Sequence, residues 1–120
     1  MKKFEGIDLL KLYTSGSYKG WNEYLDNCVR TRNINSLAKL RYQLQVGMSD
    51  LAKNKLNDEK IDIWFVRLIK SIEKTAKHIL RIKHPMPGDN SATAKAHPGW
   101  LEIKRKRDLE LAIFFKNSSY

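Results

Sequence analysis

Residues 57–85 read NDEKIDIWFVRLIKSIEKTAKHILRIKHP, and the fold turns on the spacing within that stretch. Ile61, Phe65, Leu68, Ile69, Ile72, Ala76, Ile79 and Leu80 share one helical face, the pattern of a stripe turned toward a core. Asn57, Asp58 and Glu59 supply capping side chains and acids at its start, where the helix dipole favours negative charge. His84-Pro85 ends it, because the residue before a proline avoids helical backbone angles. The opposite face carries Arg67, Lys70, Lys74, Lys77 and Arg81 at intervals of 3, 4, 3 and 4. At ~1.5 Å per residue those five cations are stacked along about 21 Å of helix axis.

Toward the N-terminus the same periodicity continues. Leu37, Leu40, Leu44, Met48 and Leu51 predict a helix over about 35–54, begun by Asn33, Asn35 and Ser36, with Gly47 a tolerated weakness. Arg41 falls near that apolar face, so it must reach past the core edge or meet a buried acid. Tyr18, Trp21, Tyr24, Leu25, Cys28 and Val29 mark an earlier helix, for which Ser15 or Ser17 can serve as cap. Gly20 weakens its first turn. A short first helix is expected from about Ile7 to Tyr13, ended by Thr14-Ser15-Gly16-Ser17.

Toward the C-terminus, residues 84–99 (HPMPGDNSATAKAHPG) hold all three prolines and two of the six glycines, the composition of a long, mobile loop. Beyond it Trp100, Ile103, Leu111, Phe114 and Phe115 share a helical face. A β-hairpin over 100–115 is the alternative, since 101–104 and 109–113 also alternate around Arg105-Lys106-Arg107-Asp108. A tight hairpin turn needs Gly or Asn at positive φ and none is present, so helix is the expectation. The fold predicted is all-α: a single domain over 1–120, a bundle of four to five helices with the 57–83 helix as central strut.

The 23 Lys and Arg against 13 Asp and Glu leave a net charge of +10 and a pI near 9.8. The excess is spread along the chain, ten against five over 1–56, seven against four over 57–83 and six against four over 84–120. It belongs to the folded body, and such a field attracts nucleic acid, anionic lipid or acidic proteins. With 42% hydrophobic residues the chain is too apolar to stay unfolded. Cys28 is the only cysteine, which excludes an intramolecular disulfide and a cysteine zinc cluster. No apolar run approaches the ~20 residues of a bilayer span, and the two lysines at the start precede no apolar signal core. A cytoplasmic protein is expected, or a nuclear one in a eukaryote, with no membrane contact.

Lys104-Arg105-Lys106-Arg107 is a second basic cluster. Four consecutive residues sweep about 300° of a helix, so at least one of these cations must point toward the core. Aromatic residues adjoin bases at Tyr18-Lys19-Gly20-Trp21 and at Arg41-Tyr42, though Trp21 fits the core stripe of its own helix. His78, His84 and His97 have no metal-ligand spacing, and no phosphate loop, nucleophile elbow or Cys–His pair occurs. The expectation is therefore no enzyme, no catalytic residue, no metal and no cofactor.

Two partners remain in view. The first is DNA or RNA, held without sequence specificity by phosphate contacts from Arg67, Lys70, Lys74, Lys77 and Arg81, extended by Lys104 to Arg107 and by Arg30 and Arg32. The alternative is an acidic protein, the chain acting as a helical adaptor or inhibitor. The apolar side chains from Trp100 to Phe115 could in addition join copies into a homo-oligomer.

Overall fold

A computed structural model describes residues 3–4, 7–85 and 99–120. Five helices occur among them: α1 (Leu9–Ser15), α2 (Lys19–Thr31), α3 (Ile34–Lys53), α4 (Glu59–Lys83) and α5 (Trp100–Asn117). The all-α expectation holds, and 100–115 is helix, so the hairpin alternative falls. The loop expected over 84–99 lies largely outside the described residues.

The local reasons are visible at each end. Asp58 caps α4, its carboxylate accepting the Ile61 N–H at 2.8 Å, and Asn33 caps α3 by accepting the Ser36 N–H at 3.1 Å. α1 ends at Gly16, whose φ of 67° lies in the left-handed region that only glycine enters without strain.

Three expectations need correction. Ile7–Asp8 is not helical; it pairs with Lys3–Phe4 as a two-residue antiparallel ladder, and α1 begins at Leu9 with Asp8 as its cap. Neither Ser15 nor Ser17 caps α2, because Ser15 Oγ is turned back to donate to Lys11 O at 2.6 Å, leaving Tyr18 as an N-cap without a side-chain bond. The buried face of α4 also includes Trp64. That indole packs edge-to-face against Tyr13 and donates its N–H to the Tyr18 hydroxyl at 3.0 Å, closing α1 over the start of α4.

The core is one contiguous cluster drawn from all five helices, with Leu37, Leu40, Leu44, Phe65, Ile72 and Ile79 among its most enclosed members. α4 is its axis, and α2, α3 and α5 pack around it. Arg41 to Glu73 and Ser118, and Glu110 to Lys83 and His84, show α5 running antiparallel to α4.

Of the two courses open to Arg41, reaching past the core edge or meeting an acid, it takes the second. Its Nε donates to Glu73 Oε2 at 3.1 Å, its Nη1 donates to Ser118 O and Oγ at 3.0 and 2.9 Å, and its guanidinium lies 5.0 Å from the Phe115 ring centre. One half-buried cation thus ties α3, α4 and the end of α5 together. Removing one partner of such a set leaves the others unpaired in a poorly solvated place, which is where the cost arises.

Candidate nucleic-acid interface

The cationic face is built by α4 itself. At ~100° per residue, Arg67, Lys70, Lys74, Lys77 and Arg81 fall within an arc of about 80°, centred almost opposite Phe65, Leu68, Ile72, Ala76 and Ile79. The core cluster anchors the inner face, so the outer face has one way to point. All five cations are exposed, and none has an ion-pair partner among the described residues.

Glu73 is the sole acid between Arg67 and Arg81 and the natural candidate to neutralise this face. It is half-buried and committed to Arg41 on the inner side of the bundle. Among the described residues the stripe is therefore uncompensated. Like charges at i,i+3 and i,i+4 repel by about 0.2–0.5 kcal/mol per pair, so the four successive pairs cost on the order of 1–2 kcal/mol, a penalty that an anionic ligand would reverse.

The second cluster behaves differently. Lys104 pairs with Asp108 at 2.7 Å, and Lys106 lies 3.7 Å from Glu102, both along α5. Arg107 is half-buried and its Nε donates to His84 O at 2.9 Å, so it satisfies a carbonyl at the end of α4. Arg107 is thus the member of the run that turns inward. Arg105 is exposed and has no ion-pair partner among the described residues.

Arg30 and Arg32 sit at the α2–α3 turn. Arg30 donates to Asn27 Oδ1, and Arg32 Nη1 donates to Arg30 O at 2.9 Å. Arg32 occupies the C-cap of α2 with φ 53°, a left-handed conformation more natural to glycine or asparagine. Both guanidinium groups remain exposed.

Ile63 and Val66 also lie on the outer face of α4, half-exposed and just before the cations. Their intervals of seven and four residues to Lys70 place them there from sequence alone. Behind α5, Glu110 binds Lys83 at 2.6 Å and pairs with His84. Burial alone would raise its pKa, but the hydrogen bonds and charges of Lys83 and His84 outweigh that and hold it below the usual carboxylate range.

Among the described residues no three His, Cys, Asp or Glu side chains gather as metal ligands would, and no helix is long and apolar enough to cross a membrane. Comparison with protein-family models, with curated proteins and with solved structures gives no match.

Proposed function

We propose that this protein is a small, non-catalytic nucleic-acid-binding protein that grips phosphates with the outer face of α4. The observation that carries the reading is the commitment of Glu73 to Arg41, which leaves five aligned cations without an ion-pair partner among the described residues. Arg67, Lys70, Lys74, Lys77 and Arg81 form the centre of the contact, with Arg30, Arg32, Lys104, Arg105 and Lys106 as flanking charges; Arg107 is reassigned to holding the end of α4. Contacts of this kind fix register on a backbone and read no bases. The test is binding of fluorescent DNA and RNA oligomers by wild type and by the Lys70→Glu, Lys74→Glu, Lys77→Glu triple variant. Loss of affinity of at least ten-fold supports the proposal, and unchanged affinity removes the stripe from it.

A second reading, an acidic protein as partner, draws on Ile63 and Val66. Those side chains give the cationic face an apolar end, which a protein surface would cover and a phosphate backbone would not. Capture of a protein that survives nuclease treatment, and that an Ile63→Asp, Val66→Asp variant abolishes, separates the two readings.

A further inference from the structure

On the side of α3 turned away from α4, Lys39, Tyr42 and Gln43 meet Asn117 of α5 around an open hollow of ≈ 370 Å³. Tyr42 is 41% exposed and Tyr120 61% exposed, yet their rings are held edge-to-face with centroids 6.0 Å apart. Tyr120 is further fixed by its backbone N–H, which donates to Gln45 Oε1 at 3.0 Å. Two large aromatic rings are thus oriented at the surface without being buried there.

The groups around the rings are of a particular kind. Gln43 Oε1 is shielded from solvent and has no hydrogen-bond partner among the described residues. Asn117 brings a second carboxamide and Lys39 a cation, and among the described residues Lys39 has no ion-pair partner and no carboxylate side chain lines the hollow. A flat ring beside amide donors and acceptors, with a cation nearby, matches a nucleobase attached to a phosphate. The ring offers a stacking face, the exposed Asn117 carboxamide can meet the polar edge of the base, and Lys39 meets the backbone.

We infer that this hollow is a subsite for an unpaired nucleobase, with Tyr42 as stacking platform, so that the nucleic acid preferred is single-stranded. The inference rests on the phosphate-binding role of α4 and adds the class of strand. Bases in a duplex stay stacked on their neighbours and present no face to a side chain. The hollow and the cationic face of α4 point in different directions, so only a flexible single strand can leave α4, pass round the bundle and bring an unpaired base to α3, a path closed to a stiff duplex.

The experiment compares a fluorescent deoxythymidine 12-mer with a hairpin duplex of equal phosphate count, by anisotropy. Three variants are measured: Tyr42→Ala/Tyr120→Ala, Tyr42→Phe/Tyr120→Phe, and the triple α4 charge reversal. Stacking is worth about 1–3 kcal/mol per base, so the alanine pair should weaken single-strand binding roughly 5- to 150-fold and leave duplex binding unchanged. The phenylalanine pair should bind as wild type does. Equal effects on both oligomers, or none on either, overturn the subsite. If the charge reversal abolishes binding while the alanine pair does not alter it, the subsite falls and the α4 role stands; if wild type binds neither oligomer, both fall. Should the alanine pair fold poorly, side-chain amide NMR of wild type decides. Gln43 and Asn117 resonances shift on adding the 12-mer if the subsite exists, and their silence in the presence of saturable binding rejects it.

Discussion

Arg41 and Glu73 are 32 residues apart in sequence and 3.1 Å apart in space, and their pairing does two things at once. It binds α3 to α4, and it engages Glu73, the sole acid between Arg67 and Arg81 in the sequence. Arg41→Ala should destabilise the fold by roughly 1–3 kcal/mol, since Glu73 and the Ser118 groups lose a half-buried partner. A double-mutant cycle with Glu73→Gln, followed by urea unfolding, should give a coupling of at least about 0.5 kcal/mol. A coupling near zero would mean that the pair is incidental.

Salt dependence gives a finer measure of the stripe than affinity does. Removing one phosphate-binding cation reduces the slope of log K against log salt by about 0.9 on duplex DNA and about 0.7 on a single strand. Lys74→Ala, at the centre of the stripe, should reduce it by about one such step. Lys104→Ala should reduce it less, because Lys104 is partly neutralised by Asp108 at 2.7 Å. Equal changes for the two would argue that the protein binds through diffuse charge alone.

Arg32 lets stability and binding be separated. Its φ of 53° is a strained choice for a side chain with a Cβ. Glycine there relieves that strain but adds freedom to the unfolded chain. Arg32→Gly should therefore leave stability unchanged or raise it by up to about 1 kcal/mol, while weakening polyanion binding by the share of one cation. Thermal melting and titration of the same sample check both halves.

Acid should loosen the α4–α5 junction. The Glu110 pKa is lowered in the folded state by Lys83 and His84 despite burial, so its contribution is fully present above the ordinary carboxylate range. It is lost as pH falls through the depressed value, because the unfolded chain then binds the proton more readily. Melting temperatures recorded from about pH 6 down to about pH 2 should fall for wild type and fall less steeply for Glu110→Gln. Parallel curves would contradict this role.

The outer face of α5 shows Leu109 at 63% and Ile113 at 48% exposure. If these side chains join copies of the chain, Leu109→Lys/Ile113→Lys should shift sedimentation to the monomer with little change in melting temperature. A wild type already monomeric at the same concentration rejects that interface.

Much of this architecture is written in the spacing of residues. α4 is legible because caps, apolar stripe and Pro85 agree, and agreement across such levels is what specifies an element. Arg41 near an apolar face must reach past the core edge or meet an acid, and sequence alone says neither which nor that Glu73 is the acid. The start of α2 is easily misread because Ser15 and Ser17 are good caps in isolation, and only the backbone shows Ser15 Oγ returning to Lys11 O. The run 104–107 has to send one cation inward, but which one depends on the α4 end that α5 meets, a tertiary fact. The Tyr42–Tyr120 pair joins residues 78 positions apart, and no local signal announces it.

Fastening, rather than burial, distinguishes α5. Phe114 is its one fully buried side chain, where α4 has seven, and beside the packing of Leu111 and Phe115 on the core its ties include a polar set: Arg41 to Ser118, Gln45 to Ser118 and Tyr120, Glu110 to Lys83 and His84, Arg107 to His84. Apolar contacts fade little with salt or pH, whereas these do. The last helix is therefore a detachable unit whose amide hydrogens should exchange before those of α3 and α4, and sooner as ionic strength rises.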